Sequence, residues 1–260
     1  MATLAKIPVR IAHSHADFRQ APQSLLRQAY RTLSRRLLPV FTSHPLAVST
    51  AAAADLFPTV AQGFSLLPCG ADLESLLKLS RQPSDTGFNL VHVGRLVPEK
   101  NHSFLFRVFA ALRQKVPSAR LQLAGDGPCL ASLRQQAEAL DIAPAVDFLG
   151  PVTQPQLLWE SASVFVFPSL NEGLGLAALE AQAAGVPTVI AAHLPAELDV
   201  VSGLIRRLAL DVPVDQWVDA ILQQSQVAAP TAEQRRAAFA RTTCSLSANI
   251  AALEKIYAAA

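Results

Sequence analysis

A chain of 260 residues, 51% apolar and 16% charged, can bury one large core or two modest ones, which excludes an intrinsically disordered polymer. Its net charge of +2 is too small for nucleic-acid binding by bulk attraction, and Cys69, Cys129 and Cys244 show no metal-ligand or disulfide spacing. No apolar run reaches the roughly 18 residues of a spanning helix, and the opening MATLAKIPVRIAHSH lacks the apolar block of a secretory signal, so a cytoplasmic protein is expected.

The first 72 residues offer three short strands, VRIAHS (9–14), LAVST (46–50) and FSLLP (64–68). A helix between the first two carries Arg27, Arg31, Arg35 and Arg36 at helical spacing. That basic strip reads as a solvated helix face or, alternatively, as a peripheral contact with the anionic inner membrane. Three strands and one helix make an incomplete half whose sheet exposes an unpaired edge, which a second copy or a partner chain would cover. Pro68, Gly70 and Asp72 mark the turn out of it, and LSRQPSDTG (79–87) reads as a polar linker.

From Asn89 onward strands and helices alternate. NLVHV (89–93) precedes a helix over 101–115, RLQLAG (120–125) a helix over 128–140, and AVDFLG (145–150) a short helix over 154–161. SVFVFP (163–168) precedes a helix over 174–184, TVIAA (188–192) a loop, and LIRRLAL (204–210) a helix over 214–224; further helices fall at 231–242 and 246–258. Short apolar strands separated by amphipathic helices indicate a parallel sheet covered on both faces, and six of them complete a Rossmann-like domain.

The richest stretch is NEGLGLAALEAQAAGVP (171–187), where Glu172 and Glu180 bracket a glycine-hinged turn. A carboxylate at a strand exit, glycines that admit a ligand, and a helix N-terminus aimed at one point suit an anion and a polyol. GRLVPEKN (94–101) puts Arg95 just past a strand and Lys100 at the start of the next helix, two cations able to hold a diphosphate; a solvated basic pair is the plainer alternative. AGDGPCL (124–130), with Gly125, Gly127 and Pro128, reads equally as a tight turn or as the lining of a nucleotide pocket. VDFLG (146–150) places another strand end where a base could be read, though most of it reads as core. His13 and His15 close the first strand, where an imidazole either donates to a sugar hydroxyl or phosphate or is structural. H-E-x-x-H, paired C-x-x-C, G-x-S-x-G and D-x-D motifs are missing, so no metal is expected, and Arg, Lys and a helix dipole would neutralise a leaving diphosphate.

Together GRLVPEKN, AGDGP, DFLG and FPSLNEGLGLAALEAQAAGVP resemble, in order and spacing, glycosyltransferase family 4, the group 1 glycosyltransferases of GT-B fold, over about residues 64–225. HLPAELDV (193–200) and LALDVPVDQWVDAI (208–221) resemble the exopolysaccharide and capsule branch. The resemblance implies a retaining, metal-independent transferase that moves a sugar from a UDP- or GDP-linked donor to a polysaccharide or lipid-linked acceptor, with no cofactor besides that substrate. It implies catalytic roles for Glu172 on the sugar hydroxyls, Arg95 and Lys100 on the leaving diphosphate, and His15, more than His13, beside the sugar. Donor binding is implied for Gly94, Gly125, Phe148 and Leu149, for the amides of Gly173, Leu174 and Gly175, and for Glu180 on the ribose. Cations and carboxylates would then grip opposite ends of one activated sugar.

The implied architecture is α/β and GT-B-like. One complete Rossmann-like doubly wound parallel-sheet domain (73–245) follows a truncated N-terminal, acceptor-side Rossmann-like half (1–72), and a C-terminal helix (246–260) packs back toward that half. PCGAD (68–72) stands at the family's N-G-x-D turn, with Cys69 in place of Asn. Much of the usual acceptor domain, including its first strands and glycine-rich loop, has no counterpart. That leaves open a second reading, a catalytically impaired nucleotide-sugar-binding module that is a truncated relic or half of a split enzyme. Nothing in the sequence selects a third, a sugar-phosphate synthase.

Overall fold

Strands buried on both faces read as continuous apolar runs, and VFVF (164–167) and TVIA (188–191) are such strands, in the larger of two parallel sheets. The computed structural model describes residues 7–17, 24–57, 63–79 and 87–258. The first sheet is built from β1 (Ile11–Ser14), α1 (Leu25–Phe41), β2 (His44–Ala47), α2 (Thr50–Leu56), β3 (Ser65–Leu66) and α3 (Glu74–Leu77), with strand order β1-β2-β3. Both pairings are parallel.

Two expectations for this part need correction. LAVST does not stay a strand through Thr50: β2 stops at Ala47, and the Ser49 hydroxyl caps α2 by accepting from the Ala52 amide. The alanine run that follows is a strong helix former, and it wins over the β-branched residues before it. The arginine strip is also not simply solvated. Arg31 and Arg35 converge on Asp55 of α2, whose side chain is only 6% exposed; Arg35 Nη2 donates to Oδ1 at 2.5 Å. Arg36 is exposed, and the Arg27 side chain lies outside the described residues, as does linker 80–86. With the basic side turned inward, Leu26, Tyr30, Leu33, Leu37 and Val40 face solvent.

The second sheet comprises β4 (Asn89–Val93), α4 (His102–Lys115), β5 (Arg120–Ala124), α5 (Leu130–Ala139), β6 (Val146–Gly150), α6 (Pro155–Ser161), β7 (Val164–Phe167), α7 (Leu176–Ala183), β8 (Thr188–Ala191) and β9 (Ile205–Leu208). Helices α8 (Val214–Ser225), α9 (Ala232–Phe239) and α10 (Leu246–Ala258) follow. Strand order is β6-β5-β4-β7-β8-β9, the doubly wound order, and the direction of winding reverses between β4 and β7.

The period of two along β7 splits the core between the sheet's faces. Val164 and Val166 join Phe106, Phe109 and Trp217 on one side, while Phe165 and Phe167 join Trp159, Leu179 and Phe239 on the other. Helix α10 returns to the first sheet: Leu246 N donates to Ala71 O at 3.0 Å and Asn249 Nδ2 to Pro68 O at 2.5 Å. Among the described residues no helix is long and apolar enough to cross a membrane.

Burial differs sharply between these surfaces, and stability should follow it. Phe165→Ala is expected to cost about 3–5 kcal/mol in urea unfolding, whereas Leu33→Gln should stay within about 0.5 kcal/mol of the parent. Comparable losses for the two would contradict the assigned faces.

Candidate active site

The reversal of winding leaves a crevice where β4 and β7 end, and two loops meet across it. After β4 the chain runs through Gly94, Arg95 and buried Leu96 into a 3-10 turn, Pro98–Lys100. Asn101, at φ 57°, breaks that turn from α4, and its Nδ2 donates to Pro168 O at 3.1 Å, just past β7. Leu170 N donates to Glu99 O at 2.8 Å. These bonds carry Lys100 to Glu172, where Nζ lies 2.5 Å from Oε1 with the side chains 18% and 10% exposed. Lys100 Nζ also sits 5.1 Å from the centre of the Phe167 ring.

Two details differ from the sequence reading. Lys100 ends a 3-10 turn and does not begin α4, because left-handed Asn101 stands between them. The ammonium and the Glu172 carboxylate are in direct contact, so they do not stand at opposite ends of the site. Arg95 is exposed and makes no ion pair among the described residues.

A cavity of about 330 Å³ opens beside this pair, lined by Gly94, Gly125, Val152, Trp159 and Glu180 among others. Gly125, at φ +134°, is forced by packing as well as backbone: a Cβ there would lie 2.0 Å from Gly94 O. That close approach joins the ends of β4 and β5 into one floor. Above Gly94, a Cβ would meet Lys100 Cε at 3.3 Å, so the lysine stem passes close to one residue of the lining. Glu180, on the second turn of α7, is half-buried with no ion-pair partner among the described residues. Burial raises its pKa, and the neighbouring Trp159 indole opposes the rise without closing a full hydrogen bond. An apolar cavity with one carboxylate acceptor suits a ligand that presents a planar body and hydroxyl donors.

Helix α7 begins at Leu176, two residues later than expected, because Gly175 adopts φ +101° before it. Leu174 therefore lies in the loop and is buried. Gly173 touches the first sheet: a Cβ on it would lie 1.8 Å from His15 O. It is thus the His15 carbonyl that meets this loop. The His15 ring is exposed, its Nδ1 is 3.4 Å from Cys69 Sγ, and it packs on His13 with ring centres 4.2 Å apart.

Phe148 and Leu149 are corrections. Phe148 packs edge-on against Phe106, with Arg134 over its ring at 4.6 Å, because alternation along β6 turns it toward the α4–α5 face. Leu149 is 43% exposed, and neither lines the cavity. What β6 brings to the site is backbone, since Gly150 O accepts from Gly125 N at 2.8 Å. Trp159, Val152 and Asn101 were not singled out from sequence. Trp159 sits in PQLLWES, which shows only an amphipathic helix. Among the described residues no cluster of three or more His, Cys, Asp or Glu could hold a metal ion.

The sequence profile of the group 1 glycosyl transferases matches residues 79–237. The chain belongs to this family. EpsF of Bacillus subtilis (strain 168), a glycosyltransferase by provisional name, is 30% identical over 268 residues, 98% of this chain and 70% of EpsF. The D-inositol 3-phosphate glycosyltransferase of Mycolicibacterium paratuberculosis is 37% identical over 147 residues, 54% of this chain and 32% of that protein. Anabaena HepE, solved in complex with UDP and glucose, shares the fold with a TM-score of 0.79 at 21% identity, over 98% of this chain and 73% of that one. Both halves of this group 1 glycosyl transferase are therefore of the α/β, GT-B type.

Beneath Lys100 this glycosyl transferase buries two imidazoles. His92 donates from Nδ1 to Val166 O at 2.8 Å and stands edge-on to His102, with ring centres 4.8 Å apart. Burial, then the neighbouring His102, pulls the His92 pKa down to about 3; burial, then Lys100, pulls that of His102 to about 4. Both rings are neutral in the fold, whereas the unfolded chain takes up their protons below its ordinary histidine pKa of about 6.5. Stability is thus complete above that pH and lost as pH falls toward 4, by about 1 kcal/mol per pH unit for each ring. Urea unfolding from pH 7 to 4.5 should show this slope, and the double variant His92→Phe/His102→Phe should flatten it. An equal slope in the variant would mean other groups drive the loss.

Proposed function

We propose that the crevice binds a UDP- or GDP-linked sugar and that the protein is a family 4, retaining glycosyltransferase acting on a polysaccharide or lipid-linked acceptor. The observation that carries the reading is the Lys100–Glu172 contact at the switch point, beside a cavity that Glu180 lines. The roles follow from chemistry at each position. Glu180 accepts hydrogen bonds from the vicinal hydroxyls of the ribose, and the cavity holds the base. Arg95 and Lys100 take the diphosphate, with Arg offering paired donors and Lys a point charge. Glu172, released from Lys100 as phosphate arrives, accepts from the sugar hydroxyls. The free amides at the start of α7 and its dipole add positive potential near the distal phosphate.

Transfer then needs little covalent work from the protein. The bond from the anomeric carbon to the phosphate oxygen breaks, and negative charge grows on the leaving diphosphate where the two cations stand. The acceptor oxygen bonds to that carbon on the face just vacated, and its proton passes to the leaving phosphate. Positioning and charge stabilisation supply the acceleration. His15 lies at the rim of the same loop through its Gly173 contact. The three free cysteines suit the cytoplasm, where thiols stay reduced.

Calorimetric titration with UDP, GDP and their hexose conjugates tests the assignment. Arg95→Ala is expected to weaken nucleotide binding about 10- to 100-fold, the worth of charge-assisted hydrogen bonds. Glu172→Ala removes the carboxylate that competes for Lys100, so free nucleotide should bind at least as tightly while donor hydrolysis and transfer are lost. Nucleotide affinity unchanged by Arg95→Ala, with transfer intact in Glu172→Ala, would overturn the reading.

A further inference from the structure

The loop that carries Glu172 is held in part from the first half of the chain. Gly173 O accepts a hydrogen bond at 2.6 Å from the Ser49 hydroxyl, across 124 positions of sequence. Ser49 is fully buried at 0% exposure, and the same oxygen accepts from Ala52 N at 3.1 Å, so its single proton is committed to Gly173. The next residue anchors the junction from the other side: Thr50 gives its amide at 2.7 Å and its hydroxyl at 2.5 Å to Glu197 Oε1, in the turn after β8. The Asn171 side chain donates from Nδ2 to Asp17 O, and His15 O closes over Gly173. The end of β1 and the start of α2 therefore both bear on one short stretch of loop.

We propose that Ser49 is a positioning residue for sugar recognition: by holding the Gly173 carbonyl it sets the plane of the 173–174 peptide and hence the direction of the Leu174 N–H. The inference rests on the donor-site reading above. A trans peptide is planar, with C=O and N–H pointing opposite ways, so pinning one aims the other. The constraint is needed because Gly173 has no side chain to restrict the torsion before that plane, and Gly175 already stands at φ +101° just beyond it. Glycine is required there, since any Cβ on residue 173 would strike His15 O. The close approach and the loss of stiffness come together, and the Ser49 hydroxyl restores the order that glycine gives up. Glu197 is suited to holding Thr50: burial pushes its pKa up, but the two bonds from Thr50, its own backbone N–H and the charge of Arg207 together leave it lowered. None of these junction residues lines the Glu180 cavity, so the nucleotide end should not depend on them.

The test uses the full chain with Ser49→Gly, which keeps an acceptable helix cap but has no hydroxyl, and Ser49→Thr, which keeps both. Glu197→Gln serves as a second route to the same junction that leaves Ser49 intact. Amide hydrogen exchange without ligand is expected to be about five- to tenfold faster over 172–176 in Ser49→Gly, the equivalent of one lost hydrogen bond. β4 and β5 should be unchanged, and Ser49→Thr close to the parent. Calorimetry with UDP against UDP-glucose, and GDP against GDP-mannose, should show bare nucleotide within about twofold in all variants. The affinity gained from the sugar should fall about tenfold in Ser49→Gly, and less in Glu197→Gln. Unchanged exchange over 172–176 in Ser49→Gly overturns the inference whatever the nucleotides do. Equal weakening of nucleotide and sugar nucleotide overturns it as well, by reducing Ser49 to a structural cap. A parent protein that binds no nucleotide sinks the donor-site reading and the sugar-recognition role with it, and the exchange result still decides whether Ser49 orders the loop.

Discussion

Crossing from β4 to β7 brings a lysine and a glutamate 72 residues apart in sequence to 2.5 Å from each other, and the crevice is arranged around that pair. Two largely buried opposite charges are tolerable only together, because removing either leaves an uncompensated charge away from water. The surrounding bonds serve that pairing. Asn101 reaches Pro168, Leu170 reaches Glu99, and the Phe167 ring lies under the ammonium, so both loops are tied before any ligand is present. The sheet order makes the meeting possible, since only at the reversal between β4 and β7 do two adjacent strand ends send their loops apart and leave a gap between them.

The division of labour across the crevice follows from the same layout. One end is a walled cavity in which a single carboxylate faces apolar side chains and two strand ends in glycine-enabled contact. The other is an open loop whose conformation is borrowed from the first sheet through Ser49, His15 and Asp17. The first end belongs to the floor of the six-stranded sheet. The second is tied both to that half, through Asn101, Leu170 and Lys100, and to the smaller half.

How much of this was legible in the sequence depended on range. The six strands of the second sheet read correctly because fully buried strands such as VFVF and TVIA are continuous apolar runs between turn signals. Glu180, which lines the cavity, is marked in the sequence by a helix start after a glycine turn. Phe148 was misplaced because strand periodicity says that a residue faces one side of a sheet without saying which side carries the cavity. Helix α2 was missed because valine and threonine at 48 and 50 carry a strand bias that the alanines overrule. The Ser49–Gly173 bond had no signature at all. A contact across 124 positions leaves no periodicity, and serine before an alanine run announces only a cap.

The Lys100–Glu172 pair makes the centre of this crevice charge-neutral from within the protein. An incoming anion does not find a bare cation waiting but a site whose counter-ion is part of the protein. On the proposed donor-site reading, entry would be an ion swap, with the newcomer displacing a tethered carboxylate already in contact with the ammonium. Small monoanions gain nothing from such an exchange. On that reading a polyanion would gain, replacing the carboxylate on Lys100 while also engaging the exposed Arg95, which holds no ion pair among the described residues. If it carries hydroxyls as well, it gives the displaced carboxylate new donors to meet.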